Sequence, residues 1–120
     1  MDWRIDKTRP VCPQIEDEIC LRIVTGEYEP DGKLCSVREA AAEAGVNPNT
    51  VQKAFESLEA QGLIYSMRGS GWFACSDRAK AVARLEALRQ QAREDYFTRM
   101  TRLGMTPAEA ADFIKEEKHE

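Results

Sequence analysis

The sequence has a single histidine, His119, in 120 residues, and its four cysteines, Cys12, Cys20, Cys35 and Cys75, include no C-x-x-C pair. A structural zinc site needs four Cys or His ligands at short, repeated spacings, so no metal is expected. The scattered thiols read as free, small, partly buried side chains, with redox sensing as the alternative use. No apolar run approaches the roughly 20 residues of a bilayer span, and residues 1–7 mix acids with bases and lack the cleavage site of a secretory leader. Together these absences lead us to expect a cytoplasmic chain with no membrane partner. Positive charge is also scarce. The 17 Lys and Arg face 21 Asp and Glu, for a net charge of −4, which argues against coating nucleic acid through bulk electrostatics. No carboxylate pair, nucleophile beside a base or glycine-rich phosphate loop stands out, so no enzyme and no cofactor is expected. Internal repeats and low-complexity segments are missing as well.

A hydrophobic fraction of 42% and a charged fraction of 32% fit a small helical domain with an appendage. Residues before Pro10 read as extended or loosely ordered. Pro13 fits the first turn of a helix running to about Thr25, with Ile15, Ile19, Cys20, Ile23 and Val24 on its apolar side and Glu16, Asp17, Glu18 and Arg22 on the remaining surface. Residues 27–33, with Pro30 and Gly32, read as a loop. Ser36 and Glu39 stand three apart, the spacing of a capping box, so a second helix is predicted from there to Gly45. Asn47 caps a third helix with Pro48 at its first position and an apolar stripe of Val51, Ala54, Phe55 and Leu58. Two helices parted by Gly45-Val46 are a helix-turn-helix by length and punctuation.

Residues 63–66 and 72–75 have strand composition, and Met67-Arg68-Gly69-Ser70-Gly71 between them predicts a hairpin, the wing. Beyond residue 75, Val82, Leu85, Leu88, Ala92, Tyr96, Met100 and Leu103 recur every three or four residues along a helix of some 25 residues. Thr106-Pro107-Ala108-Glu109 then caps a short last helix bearing Ala110, Phe113 and Ile114. The expected fold is mainly α with a small β wing (α+β): a winged helix-turn-helix over residues 1–75, followed by a two-helix dimerisation tail over residues 76–120.

The block from Ile15 to Phe73 resembles the DNA-binding domain of the GntR family of bacterial regulators. The motifs that carry the resemblance are Thr25-Gly26-Glu27, Pro30 with Gly32 and Leu34, Ser36-x-Arg38-Glu39, Gly45-Val46-Asn47-x-Asn49-Thr50-Val51, Leu58-Glu59-x-x-Gly62-Leu63-Ile64 and Gly69-x-Gly71-x-Phe73. A run of Val46-Asn47-Pro48-Asn49-Thr50-Val51 ahead of a tail of about 45 residues is similar to the YtrA-type subgroup, which has two tail helices in place of a large effector domain. The sequence departs from the family pattern at Cys35 (usually proline), Ala40 (usually leucine), Trp72 (commonly threonine) and Gln52 (often arginine). Pro48 also replaces a common arginine, as is usual in the subgroup.

This resemblance implies a sequence-specific transcription regulator, a repressor that binds a palindromic double-stranded DNA operator as a homodimer. A winged-helix protein-interaction module without DNA binding is the alternative. A reader of DNA needs polar side chains near the start of its recognition helix, and Asn47, Asn49, Thr50, Gln52 and Lys53 supply them. Outside such a motif Asn47 would be only a cap, and Gln52 and Lys53 only a solvated face. The family implies that Arg38 reaches the DNA from the second helix. Arg68, Gly69 and Gly71 form the wing tip, where glycines let the backbone approach a strand and the guanidinium can enter the minor groove. Lys7 and Arg9 are candidate phosphate contacts. Residues 1–75 hold 8 Lys and Arg against 12 Asp and Glu, whereas residues 76–120 hold 9 of each. Weak non-specific affinity follows, and a two-fold dimer is the usual remedy. Leu85, Leu88, Tyr96, Phe97, Met100, Leu103, Phe113 and Ile114 are the candidates for its interface, with burial inside the same chain as the competing use. A small-molecule effector is left unassigned.

Overall fold

Ser36 Oγ accepts the Glu39 N–H at 3.0 Å, and Glu39 Oε1 accepts the Ser36 N–H at 2.8 Å. This reciprocal cap starts a helix where the sequence pattern places one. The structure is a computed structural model that describes residues 3–116; His119 lies outside them. Its elements in chain order are α1 (Val11–Val24), α2 (Val37–Ala44), α3 (Pro48–Ala60), β1 (Ile64–Met67), β2 (Gly71–Ala74), α4 (Ala79–Arg102) and α5 (Pro107–Glu116). They fall into two compact units, Met1–Leu85 and Glu86–Glu120.

In the first unit, α1 contributes Ile15, Ile19 and Ile23 and α3 contributes Val51, Ala54, Phe55 and Leu58 to one buried cluster. Ala40 and Ala41 of α2 are small enough to let that helix sit close against it, and both are buried. β1 and β2 pair antiparallel in the register Ile64↔Ala74, Tyr65↔Phe73, Ser66↔Trp72 and Met67↔Gly71. Phe55 meets Trp72 edge to face at 5.5 Å between ring centroids, so the same core carries α3 and the base of the hairpin. This first unit also includes the first turns of α4, since Ala81 and Leu85 belong to the cluster.

One reading of the sequence is refined and three are corrected. The residues read as a loop pair with β2: Asp31 N–H and Leu34 N–H donate to Ala74 O and Trp72 O, Ala74 N–H donates to Gly32 O, and Lys33 bridges Phe73. The loop is thus tied to the edge of the two-stranded hairpin by an isolated bridge that Pro30 and Gly32 concealed. The segment before Pro10 is held down, because Trp3 is buried, donates Nε1–H to Glu43 at 3.0 Å and lies under the Arg22 guanidinium at 4.2 Å. Arg22 and Glu16 are buried rather than on the solvated side of α1. Arg22 bonds Glu18 and Tyr28, while Glu16 accepts from Ser57, Gln61 and Arg84, and Arg84 also pairs with Asp17 at 2.9 Å. Buried charge is tolerable only when paired in this way. Finally, Leu85 is 7% exposed within the first unit's own core, which removes it from the surface a partner can touch.

In the second unit, α4 and α5 face each other through Tyr96, whose hydroxyl donates to Ala110 O at 2.7 Å, and Ala110 is buried. Thr106 and Glu109 form a second capping box at the start of α5. No helix among the described residues is long and apolar enough to cross a membrane.

All four cysteines are free, and among the described residues no group of three or more His, Cys, Asp or Glu is placed to hold a metal ion. Burial pushes each thiol up, Cys20 to about 11. With the Cys20 thiol at about 11 instead of the ordinary 9.0, on the order of 100-fold less thiolate is present at pH 8. Iodoacetamide should therefore label Cys20 in the folded chain at least that much more slowly than in urea, and equal rates would contradict its burial. Because the folded value is the raised one, this contribution to stability is complete below about pH 9 and is lost as pH rises through about 11.

Candidate nucleic-acid interface

Helix α3 buries Val51, Ala54, Phe55 and Leu58 on one side. At 100° per residue, Asn49, Gln52, Lys53 and Glu56 then share the opposite side. Asn47 Oδ1 accepts the Asn49 N–H at 2.7 Å, so Asn47 is the cap of this helix, as the sequence predicts. The Thr50 N–H bonds Asn47 O in the first turn, and Thr50 is half-buried. Lys53 is exposed and makes no salt bridge among the described residues. Gln52 donates from Nε2 to Glu56 Oε2 at 3.0 Å. Glu56 orients that amide and shares the polar side of α3; the sequence reading did not single it out, although its i, i+4 spacing from Gln52 was visible.

Arg38 sits in the first turn of α2, exposed and without an ion-pair partner among the described residues. It borders two surface grooves. One leads past Ala41, Ala42 and Val46 to Pro48 at the start of α3, and the other leads to Ser70, Gly71 and Trp72 of the wing. Arg38 thus stands between the helix-turn-helix and the hairpin.

The wing turn closes with Ser70 N–H on Met67 O at 2.9 Å. Arg68 is exposed at its tip, and Gly69 takes the φ of +80° that the third turn residue needs. Gly71 has a φ of +111°, and a Cβ there would lie 3.3 Å from Lys33 Cε. Its missing side chain makes room for a lysine stem within the wing, a use the sequence reading did not assign to it.

Of the N-terminal candidates, Arg9 is paired with Asp6 at 3.2 Å. Lys7 lies at the turn between α2 and α3, its Nζ 3.5 Å from where a Cβ on Gly45 would stand. Trp3 anchors the segment that brings it there. No signal in the sequence announced this placement, because the Trp3 and Glu43 that set it lie 40 residues apart.

On the second unit, Tyr96, Phe97 and Met100 are half-buried, while Leu88, Leu103, Phe113 and Ile114 are exposed, Leu103 at 76%. Tyr96 and Phe97 meet edge to face at 5.3 Å. Ala92, Asp95, Tyr96, Arg99, Met100 and Leu103 line an open groove along α4.

Comparison with known proteins identifies the relatives of this arrangement. Residues 13–74 match the family model described as "Bacterial regulatory proteins, gntR family". The HTH-type transcriptional regulator YhcF of Bacillus subtilis is 36% identical over 96% of this chain and 95% of its own length. The HTH-type transcriptional repressor YtrA of the same organism is 45% identical over 54% of this chain and 47% of its own length. Among solved structures, a GntR family transcriptional regulator from Listeria monocytogenes superposes with a TM-score of 0.80 at 33% identity, covering 95% of this chain and all of that one. The DNA-binding domain of AraR in complex with operator ORE1 superposes with a TM-score of 0.52 at 36% identity, over 53% of this chain and 78% of that one.

Proposed function

The chain belongs to the gntR family of bacterial regulatory proteins, and from that premise we propose that it represses transcription in the cytoplasm as a homodimer seated on a near-palindromic operator. It is a DNA-binding transcription regulator of the YtrA type. The observation that carries the reading of its site is the two-sided α3, apolar residues buried and Asn49, Gln52 and Lys53 turned the other way. Arg38 and Arg68 flank it without ion-pair partners among the described residues. In this reading Asn49 and Gln52 hydrogen-bond base edges, Lys53 and Arg38 hold phosphates, and Arg68 enters the groove beside the wing. We assign the first unit, through Leu85, to DNA binding and residues 86–120 to self-association, with no catalytic step in either.

The test is fluorescence anisotropy on a duplex selected from random DNA. Gln52→Ala should cost about 1–3 kcal/mol on the selected site and relax preference at one position, whereas Lys53→Ala should weaken all duplexes alike and lower the salt slope by about one. If Arg38→Ala, Gln52→Ala, Lys53→Ala and Arg68→Ala all bind like the parent, the DNA face lies elsewhere. A parent chain that binds no duplex would leave the winged helix as a protein-interaction module.

A further inference from the structure

The groove between α2 and the wing has an open volume of about 420 Å³. Lys33, Ser36, Arg38 and Glu39 line it on one side, and Ser70 and Gly71 on the other. Lys33 owes its place there to the isolated bridge it makes with Phe73. The bonds of Asp31, Gly32 and Leu34 to β2 fix the segment, so that Leu34 enters the core at 4% exposure while the neighbouring Lys33 stays exposed. Its stem then runs close past Gly71, where a Cβ would stand 3.3 Å from Lys33 Cε.

The charge in this groove is unusual for a chain of net charge −4. Two bases, Lys33 and Arg38, are exposed and form no salt bridge among the described residues. The one acid, Glu39, already serves the Ser36 N–H; that bond comes first among the causes that hold its carboxyl below the usual range, and nearby Lys33 adds to them. The groove also has Arg38 in common with the one that reaches Pro48 at the start of α3, so Arg38 borders both it and the groove beside the proposed base-reading helix.

We propose that Lys33 is a DNA-binding residue: with Arg38 it holds a backbone phosphate diester of the duplex in the groove between α2 and the wing, beside Ser70 and Gly71. The proposal rests on the DNA reading above and adds to it a phosphate contact outside the recognition helix and the wing tip. A lysine so placed fixes register and affinity and carries no sequence information. Removing one phosphate contact changes the slope of log K against log salt by about 0.9. Between 0.15 and 1 M salt that slope amounts to about fivefold in affinity.

The experiment uses the full chain and a duplex selected from random DNA, with anisotropy titrations across a salt series. Lys33→Gln should lower the slope by about 0.9 and weaken binding about fivefold at 0.15 M salt, leaving the order of preference among duplexes unchanged. Lys33→Arg should keep the parent slope. Replacing chloride by inorganic phosphate at equal ionic strength separates the duplex from a free anion. Binding that follows ionic strength alone is the expected result, while a phosphate-specific loss abolished by Lys33→Gln would assign the groove to free anions and overturn the proposal. A parent that binds while Lys33→Gln keeps its slope overturns the Lys33 assignment alone. A parent that binds no duplex overturns the DNA reading and this assignment with it.

Discussion

Deleting residues 86–120 should turn a dimer into a monomer and weaken binding to a full operator by about 10²–10⁴, because two linked half-site contacts assist each other through effective concentration. The cut belongs after Leu85 and not at residue 76, since Ala81, Arg84 and Leu85 are part of the first unit and Arg84 pairs with Glu16 and Asp17. The argument for a second copy as the partner starts from exposure. Leu88, Leu103, Phe113 and Ile114 are between 41% and 76% exposed on a unit that has α5 and most of α4 among its described residues, and soluble monomers rarely expose extended apolar patches. An isologous contact through this face would cover it and set two copies of the first unit on one DNA molecule. A point variant gives the same test without removing any element. Leu103→Asp places a charge at the most exposed of these side chains, so it should leave the fold intact and dissociate the dimer. Sedimentation equilibrium and anisotropy on half and full sites read the outcome. A truncated chain that stays dimeric and prefers the full site as strongly as the parent would move the interface into the first unit.

Phe55→Ala should destabilise the first unit by about 3–5 kcal/mol, the usual cost of emptying a fully buried phenylalanine site. Phe55 has no exposed surface, sits in the centre of α3 and meets the Trp72 ring edge to face. The cavity would therefore open between the recognition helix and the wing, two elements that must be positioned together. Against a total stability of about 5–15 kcal/mol, and at a urea slope of about 1–3 kcal/mol/M, the midpoint should fall by more than about 1 M. Trp3 and Trp72, the chain's 2 tryptophans, both lie in the first unit, so their fluorescence reports that unit alone. Leu103→Ala, at 76% exposure in the other unit, should leave this transition within about 0.5 kcal/mol of the parent. A Phe55→Ala midpoint equal to the parent's would mean that the recognition helix does not depend on this contact.

How legible each part was depends on the range of the interactions that make it. Helices α2, α3 and α5 were readable to the residue at their starts, because Ser36 with Glu39, Asn47 with Pro48, and Thr106 with Glu109 act across two or three positions. The apolar stripe of α3 was equally local, and it fixed which side of that helix is left for DNA. The hairpin was found with each strand shifted by one residue, since composition marks a strand but pairing sets its ends. What stayed hidden was carried by distant partners. The bridge at Lys33 is made with Phe73, 40 residues away. Trp3 is fixed by Glu43 and Arg22. The Glu16 that seemed part of a solvated face is claimed by Ser57, Gln61 and Arg84. Leu85 followed the helical period of the exposed stripe, and periodicity alone does not tell which of two neighbouring clusters a residue joins.

The most direct test of the account is the affinity of the full chain for the best duplex recovered from random DNA, compared with a scrambled duplex of the same length, at 0.15 M salt. A DNA-reading regulator should bind the recovered duplex at least about 10³-fold more tightly, that duplex should show two related half-sites about one helical turn or more apart, and the preference should collapse in Gln52→Ala. Equal affinity for both duplexes, or binding to neither, would contradict it.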